Sequence, residues 1–471
     1  MKSLKEIWNI LFQVHNKPQL KNNDLNASIN DAVNLCNNRK YKEARELLKL
    51  IIQDNSNNSD AWMMAAQIDL REYGLISLAF DELIESLRLQ PNNIAALLTM
   101  GHLFMVHKKD NKTAITYYEK ILEISPNNPV ALNSLGLIYQ EMDEFDDALI
   151  YYDKGILADP RMINGWYGKA FIYFTRKQYA LAFSLCVDGM KKASVTPESE
   201  EIYTKLGQLL LDAAELLINN IDLRTLSNSI SREIESTDNV KVYCKEYNDK
   251  GITSFLGFGP DRQLGFHNIV YNAKLPDVDY RLLHELIHIK ILQHNYNIGI
   301  RIPYELVLES YHAFRKEYFA SYQNQFGQLS REEIDKRIAN HSVMMFAHLI
   351  SGVMDLYIQY EIFTSLEDVR PAQLQSFILE LKRKDQRALN IKDTMPEILF
   401  NKILMLNHLE ALNLQELYGI NLLSEITMSS VCIEASCKLF NIYKESIKCD
   451  NYRDNISDTI TRIAESLKIN I

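Results

Sequence analysis

The sequence predicts a mainly α protein: an N-terminal α-solenoid, then an α+β domain with a small antiparallel sheet, then a C-terminal helical region. Three observations predict it. A pattern of small and large residues recurs every 34–35 positions through the first two hundred residues. From about Asn239 to Pro276 the hydrophobic period shortens toward two, with Gly and Pro punctuation. After Asp277 or Asp279, either of which could cap a helix, the 3–4 spacing of Leu, Ile and Met returns.

Composition bounds the function. The 471 residues allow two to four domains at roughly 150 residues each. With 47% hydrophobic and 24% charged residues, the chain is globular in composition. A net charge of −10 and a pI near 5.7 argue against a nucleic-acid or anionic-membrane binder, since both need a cationic surface. No uninterrupted apolar run reaches the roughly 18–20 residues that span a bilayer. The first twenty residues contain Asn9, Gln13 and His15 and no small-residue cleavage site, so no signal peptide and a cytoplasmic location are expected. Six scattered cysteines without a CxxC pair fit reduced thiols.

The repeat is read from Ala44, Ala79, Ala114, Ala148 and Ala182, spaced 35, 35, 34 and 34. Four residues beyond each stand Leu48, Leu83, Tyr118, Tyr152 and Cys186. Twelve beyond stand Ser56, Pro91, Pro126, Pro160 and Ser194. Ala66 and Gly101 suggest one-residue insertions in repeats two and three, which places Trp62, Leu97, Leu132 and Trp166 at one early apolar position. Small residues let paired helices approach, large ones fill the gap, and Pro ends the second helix. The clearest copy is Val130–Tyr139 followed by Phe145, Ala148, Tyr152 and Pro160. It resembles the tetratricopeptide repeat. Ile202, Leu206, Leu209, Leu210 and Ala213 then mark a capping helix. The resemblance implies a groove that takes a protein or peptide partner. The Lys and Asn set by which some family members clamp a carboxylate is missing, and Asn133, Leu137, Tyr167 and Phe171 stand there instead. The groove is therefore expected to be neutral and aromatic at its C-terminal end.

The expected organisation is an N-terminal helix or extension at 1–24, the solenoid with its capping helix at 25–218, the α+β domain at 219–370 and helices at 371–471. Within the α+β part, strands are predicted over Val240–Cys244, Thr253–Phe258 and Phe266–Tyr271. The helix that follows carries His284-Glu285-Leu-Ile-His288. Histidines four apart on a helix differ by about 40° in azimuth, so both can face one zinc ion. Glu285 lies about 100° round from His284, within reach of a metal-activated water as general base. Leu282, Leu283, Leu286, Ile287, Ile289 and Leu292 make that helix amphipathic. Strands followed by an HExxH helix resemble zincin metallopeptidases, loosely the IrrE/ImmA-type group. The resemblance implies an acidic third ligand on a later helix.

Glu317, opening Glu-Tyr-Phe-Ala320, matches that ligand region loosely and is the leading candidate. Asp355, buried in the apolar run Leu349–Ile358, is the alternative, with a salt bridge to a histidine or lysine as its structural role. Glu309 is weaker, and His294 falls on the wrong side if the helix continues through it. Tyr311, His312 and His348 are candidate oxyanion donors whose ordinary role is packing. The run Lys382–Arg387 reads as a solvated helix face. Two functions compete. One is a zinc metallopeptidase with His284 and His288 on Zn2+, Glu285 as base, and repeats that recruit a protein. The other is a non-enzymatic repeat scaffold with a degenerate or structural HExxH module.

Overall fold

The computed structural model describes residues 25–197, 199–247, 254–258, 265–300, 311–420 and 430–469. The expected extension at 1–24 lies outside them. The chain divides into two compact units, Met1–Leu210 and Leu211–Ile471.

The first unit is a run of paired helices: α1 (Leu25–Asn37) with α2 (Tyr41–Asp54), α3 (Ser59–Glu72) with α4 (Ile76–Leu89), and α5 (Ile94–Leu103) with α6 (Asn111–Ile124). Then come α7 (Pro129–Glu141) with α8 (Phe145–Ala158), and α9 (Ile163–Thr175) with α10 (Tyr179–Lys192). The five repeat alanines are fully buried at the crossing of each pair, and Leu48, Leu83, Tyr118, Tyr152 and Cys186 are buried one turn on. The tyrosines need glycine opposite them: Gly101 faces the Tyr118 ring, and Gly136 and Gly168 face Tyr152. Trp62 and Trp166 hold equivalent places, each donating its Nε1–H at 2.9 Å to a carbonyl six residues back, Ser56 and Pro160. α11 (Glu200–Ile218) buries Ile202, Leu206, Leu209, Leu210 and Ala213.

The two insertions are absorbed differently. In repeat three the first helix ends in a π-helical turn, Phe104–Lys108, which takes up one extra residue. In repeat two α3 runs 14 residues, against 13 for α7, and turns at Gly74. Every helix-to-helix turn within a pair uses one left-handed residue: Arg39, Gly74, Lys109, Asp143 and Lys177, with φ of 59°, 63°, 55°, 61° and 60°. Four of these five carry a side chain that left-handed backbone disfavours. Lys177→Gly is therefore expected to stabilise the protein by about 0.5–1 kcal/mol, read as a higher urea midpoint. A second periodic signal starts the repeats: Asn58, Asn93 and Asn128 accept hydrogen bonds from the backbone N–H of Ala61, Ala96 and Ala131 as N-caps.

The second unit is built round one core that runs from Leu223 to Ile469, so the C-terminal helices share it with the sheet and the motif helix. After α12 (Leu223–Asp238) come β1 (Lys241–Tyr247), β2 (Ser254–Gly257) and β3 (Phe266–Asn272). The sheet departs from the all-antiparallel expectation. Its order is β1-β3-β2, with β1 parallel to β3 (Lys241 opposite Phe266) and only β2 antiparallel to it (Ser254 opposite Tyr271). β3, the central strand, buries His267, Ile269 and Tyr271, while β1 is largely exposed. Alternation marked the strands but carries no information on which strand lies in the middle.

α13 (Val278–Asn297) bears the HExxH motif and is buried all round rather than on one face. α14 (Tyr311–Gln325) and α15 (Arg331–Ser365) follow. α15 starts ten residues before the predicted His341, because Ser330 and Glu333 form a capping box. By length and composition α15 could cross a membrane, but its apolar side chains fill the core: Met345, Phe346, Leu349, Val353 and Tyr357 are fully buried. α16 (Arg370–Ile391), α17 (Glu397–Tyr418), α18 (Ser430–Ser446) and α19 (Ile456–Ser466) complete the unit.

Candidate metal centre and repeat groove

α13 places His284 and Glu285 side by side and His288 one turn on, deep in the second unit. Glu285 is 7% exposed and His288 is 8%. The imidazole centroids of His284 and His288 are 6.1 Å apart. Asp355, which α15 carries, stands with Oδ1 3.6 Å from His284 Nε2. Neither ring nitrogen of His288 has a hydrogen-bond partner among the described residues, and Glu285 Oε2 lies 3.5 Å from its Nδ1. Burial pushes the His284 pKa down to about 4, so the ring is neutral and its one unprotonated nitrogen can offer a lone pair. Burial pushes the Asp355 carboxyl up, against the pull of Lys384 and His288. Among the described residues no three His, Cys, Asp or Glu side chains form a ready metal-binding group. Asp355 approaches His284.

A charged network surrounds this cluster. Asp277 sits at the N-cap of α13 but does not cap it. Its carboxylate is taken instead by Arg281 at 3.0 Å, Arg383 at 3.2 Å and the Ser376 hydroxyl at 2.8 Å. Arg281 also pairs with Glu380 at 2.6 Å. Lys384 is held by Glu410 and acts on Asp355. Burial opposes the charge on Lys384, yet Glu410, Asp355 and Glu380 together raise its pKa, so it remains an ammonium. The expected solvated face over Lys382–Arg387 is thus corrected at two positions. Arg383 and Lys384 turn inward because buried carboxylates on α13, α15 and α17 need partners. Glu410 was missed, although its signal was the one that singled out Asp355: an acid inside an apolar run, here Leu409-Glu410-Ala411-Leu412.

The remaining candidates lie elsewhere. Glu317 stands 3.7 Å from Lys402 Nζ, which also donates to the Tyr318 hydroxyl and, at 3.5 Å, to the Lys468 carbonyl. α13 continues past His294, which bonds Asp454 at 2.7 Å. The His348 Nδ1 is 2.8 Å from the Met344 carbonyl oxygen, and Tyr311 packs on His312 with ring centroids 5.6 Å apart. Glu309 lies outside the described residues. All six cysteines are free thiols.

In the first unit a pocket of about 590 Å3, counting its solvent mouth, opens over α7 and α9. Of the four groove residues expected, Asn133, Leu137 and Tyr167 line it and Phe171 does not; no charged side chain lines it. The Tyr152 hydroxyl in its wall donates to Gln140 at 2.9 Å. Asn133 is 7% exposed, and neither end of its amide has a hydrogen-bond partner among the described residues. It fits because Gly155 and Gly165 have no Cβ; one at Gly165 would sit 2.8 Å from its Oδ1.

Tetratricopeptide repeat family models match residues 94–128 and 117–150. Protein bimA of Emericella nidulans is 32% identical over 92 residues, covering 20% of this chain and 11% of its own. The UDP-N-acetylglucosamine–peptide N-acetylglucosaminyltransferase of Giardia intestinalis is 26% identical over 120 residues, covering 26% of this chain and 8% of its own. The chain thus spans about a tenth of the length of these relatives. Pseudomonas aeruginosa pilF is similar at 15% identity and a TM-score of 0.37, covering 45% of this chain and 90% of its own. MamA from Desulfovibrio magneticus is similar at 19% identity and a TM-score of 0.32, covering 36% and 96%. At scores this low the assignment rests on the family models and on the helix pairs themselves. The first unit of this chain carries tetratricopeptide repeats, which are protein-interaction modules.

Proposed function

We propose that this chain is a protein-binding repeat protein whose groove over α7 and α9 holds an extended, uncharged segment of a partner. One observation carries the reading: the pocket over α7 and α9 is lined by apolar and amide side chains, among them Leu137, Tyr167, Gln140 and Asn164, and by no charged one. Such a lining suits an uncharged segment, which enters it without desolvating a charge and whose backbone can bond a side-chain amide. Tyr167→Glu, which puts a charge into that pocket, is expected to weaken partner binding at least tenfold while leaving thermal stability within about 2 °C. Unchanged binding in that variant would contradict the groove assignment.

A second reading, a zinc-dependent peptide hydrolase in the second unit, is favoured by a specific observation. Asp355 is brought to His284 beside His288, whose ring nitrogens have no hydrogen-bond partner among the described residues. A bound zinc ion would supply Lewis-acid polarisation of a carbonyl and would lower the pKa of a water. His284, His288 and Asp355 would hold it once His288 turned inward, so Asp355 replaces Glu317 as the acidic ligand in this proposal. Glu285 would accept the water's proton. Glu285→Gln is expected to lower cleavage of a denatured protein substrate at least a hundredfold with zinc content unchanged. Cleavage at the parental rate would refute the mechanism.

A further inference from the structure

Three charged side chains from three helices meet where the first repeat packs on the second. Arg45 of α2 donates through Nε to Asp69 Oδ1 of α3 at 2.9 Å and through Nη2 to Asp69 Oδ2 at 2.8 Å. The same Nη2 donates to Glu82 Oε1 of α4 at 2.7 Å. Two carboxyl groups bonded to one nitrogen are close neighbours. Their side chains are only 3% and 4% exposed, so water screens them poorly. One guanidinium thus faces two buried acids. Glu82 Oε2 is buried and meets no hydrogen-bond donor among the described residues. A buried carboxylate oxygen without a donor is unfavourable, and so are two ionised carboxyls side by side. A proton on Glu82 relieves both, because the neutral acid donates to Asp69. Burial pushes the Glu82 carboxyl up to about 8; Arg45 pulls it down, and Asp69 and Asp81 add to the rise. The other charges nearby are engaged or neutral. Asp60 and Arg71 of α3 pair with Asn93 and Glu72. Glu46 of α2 acts on Arg45. α5 packs on α4, and its one titratable side chain, His102, is held neutral by burial.

We propose that Asp69 and Glu82 share one proton at neutral pH, and that losing it in mildly alkaline solution loosens the first repeat from the second. In a solenoid each repeat is held by its nearest neighbours, so charge at this contact acts locally. The sign follows from linkage. The folded chain holds the Glu82 proton to a higher pH than the unfolded chain does. The stabilisation is therefore complete below the ordinary glutamate value and is lost as pH rises through the raised folded value. Once the proton leaves for solvent, Arg45 is the one cation for two ionised carboxyls. Their repulsion then pushes α3 and α4 apart at the place where α2 joins them.

The test is hydrogen exchange of the full chain, read by mass spectrometry for wild type, Glu82→Gln and Asp69→Asn at matched pH from about 6 to about 9. Glu82→Gln imitates the protonated acid: it keeps an acceptor for Arg45 and a donor for Asp69, and it does not ionise. Exchange in Leu25–Asp54 of wild type, relative to Glu82→Gln at the same pH, is expected to rise at least about tenfold across that range. Asp69→Asn leaves Arg45 to Glu82 alone and is expected to flatten the rise. Infrared difference spectra of wild type against Glu82→Gln are expected to show a protonated-carboxyl band at neutral pH that fades by about pH 9. A ratio that stays level with pH, or no such band at neutral pH, would overturn the proposal. If Glu82→Gln does not fold, Asp69→Asn becomes the reference. Wild-type exchange that rises no faster than in that variant then overturns the proposal.

Discussion

Gly168→Leu is expected to destabilise the first unit by about 3 kcal/mol or more. A Cβ at residue 168 would lie 2.6 Å from the Tyr152 hydroxyl oxygen and from Cε2 of the same ring. Tyr152 cannot retreat, because Gly136 packs its ring from the other side and Gln140 accepts from its hydroxyl at 2.9 Å. Gly is a poor helix former, and losing it returns only about 1 kcal/mol. Circular dichroism on heating should show an early transition, and Tyr152→Leu in the same chain should recover part of the loss. A midpoint within 1 °C of wild type would show that the helices are not packed as described.

Asp277→Ala is expected to cost about 3–5 kcal/mol, since it strands Arg281 and Arg383 in the interior with Glu380 as their shared acid. The same contact predicts a pH dependence. Burial pushes the Asp277 pKa up, but Arg281, Arg383 and Ser376 outweigh it, and the folded pKa lies below the ordinary carboxyl value. A depressed folded pKa means that the unfolded chain binds the proton first. The stabilisation is therefore present at neutral pH and lost as pH falls below about 4. Urea unfolding across pH 3–7 should show the wild type losing stability more steeply than Asp277→Ala below that point. Parallel curves would exclude Asp277 as the source.

Much of this architecture is legible in local pattern. Ala44 through Ala182 fixed the repeat, because each alanine marks a helix crossing where no larger side chain fits. The same period is carried by Asn58, Asn93 and Asn128 as caps and by Arg39 to Lys177 as left-handed turns, which were overlooked since their residue types vary or recur in only three copies. The helix runs on through His294, which bonds Asp454. The long-range relations were not legible. Strand order in a three-stranded sheet depends on how the chain returns, and alternation within a strand is blind to that. Glu317, matched through a loose motif, pairs with Lys402, whereas Asp355, an acid in an apolar run, stands against His284; the same signal marks Glu410. Lys384 looked solvated because its neighbours Lys382 and Arg387 are also basic; only the fold brings three helices of buried carboxylates to it.

The central claim is that the neutral groove over α7 and α9 is the partner-binding surface. The most direct test places a photo-crosslinking residue at Leu137, inside the groove, and separately at Leu157, which is 86% exposed and does not line it. After irradiation in the native cell extract, the adducts are identified by mass spectrometry. The account predicts one partner captured at Leu137 through an extended uncharged segment, with capture competed away by that synthetic peptide, and no such adduct at Leu157. Adducts formed equally at both positions, or at Leu157 alone, would contradict it.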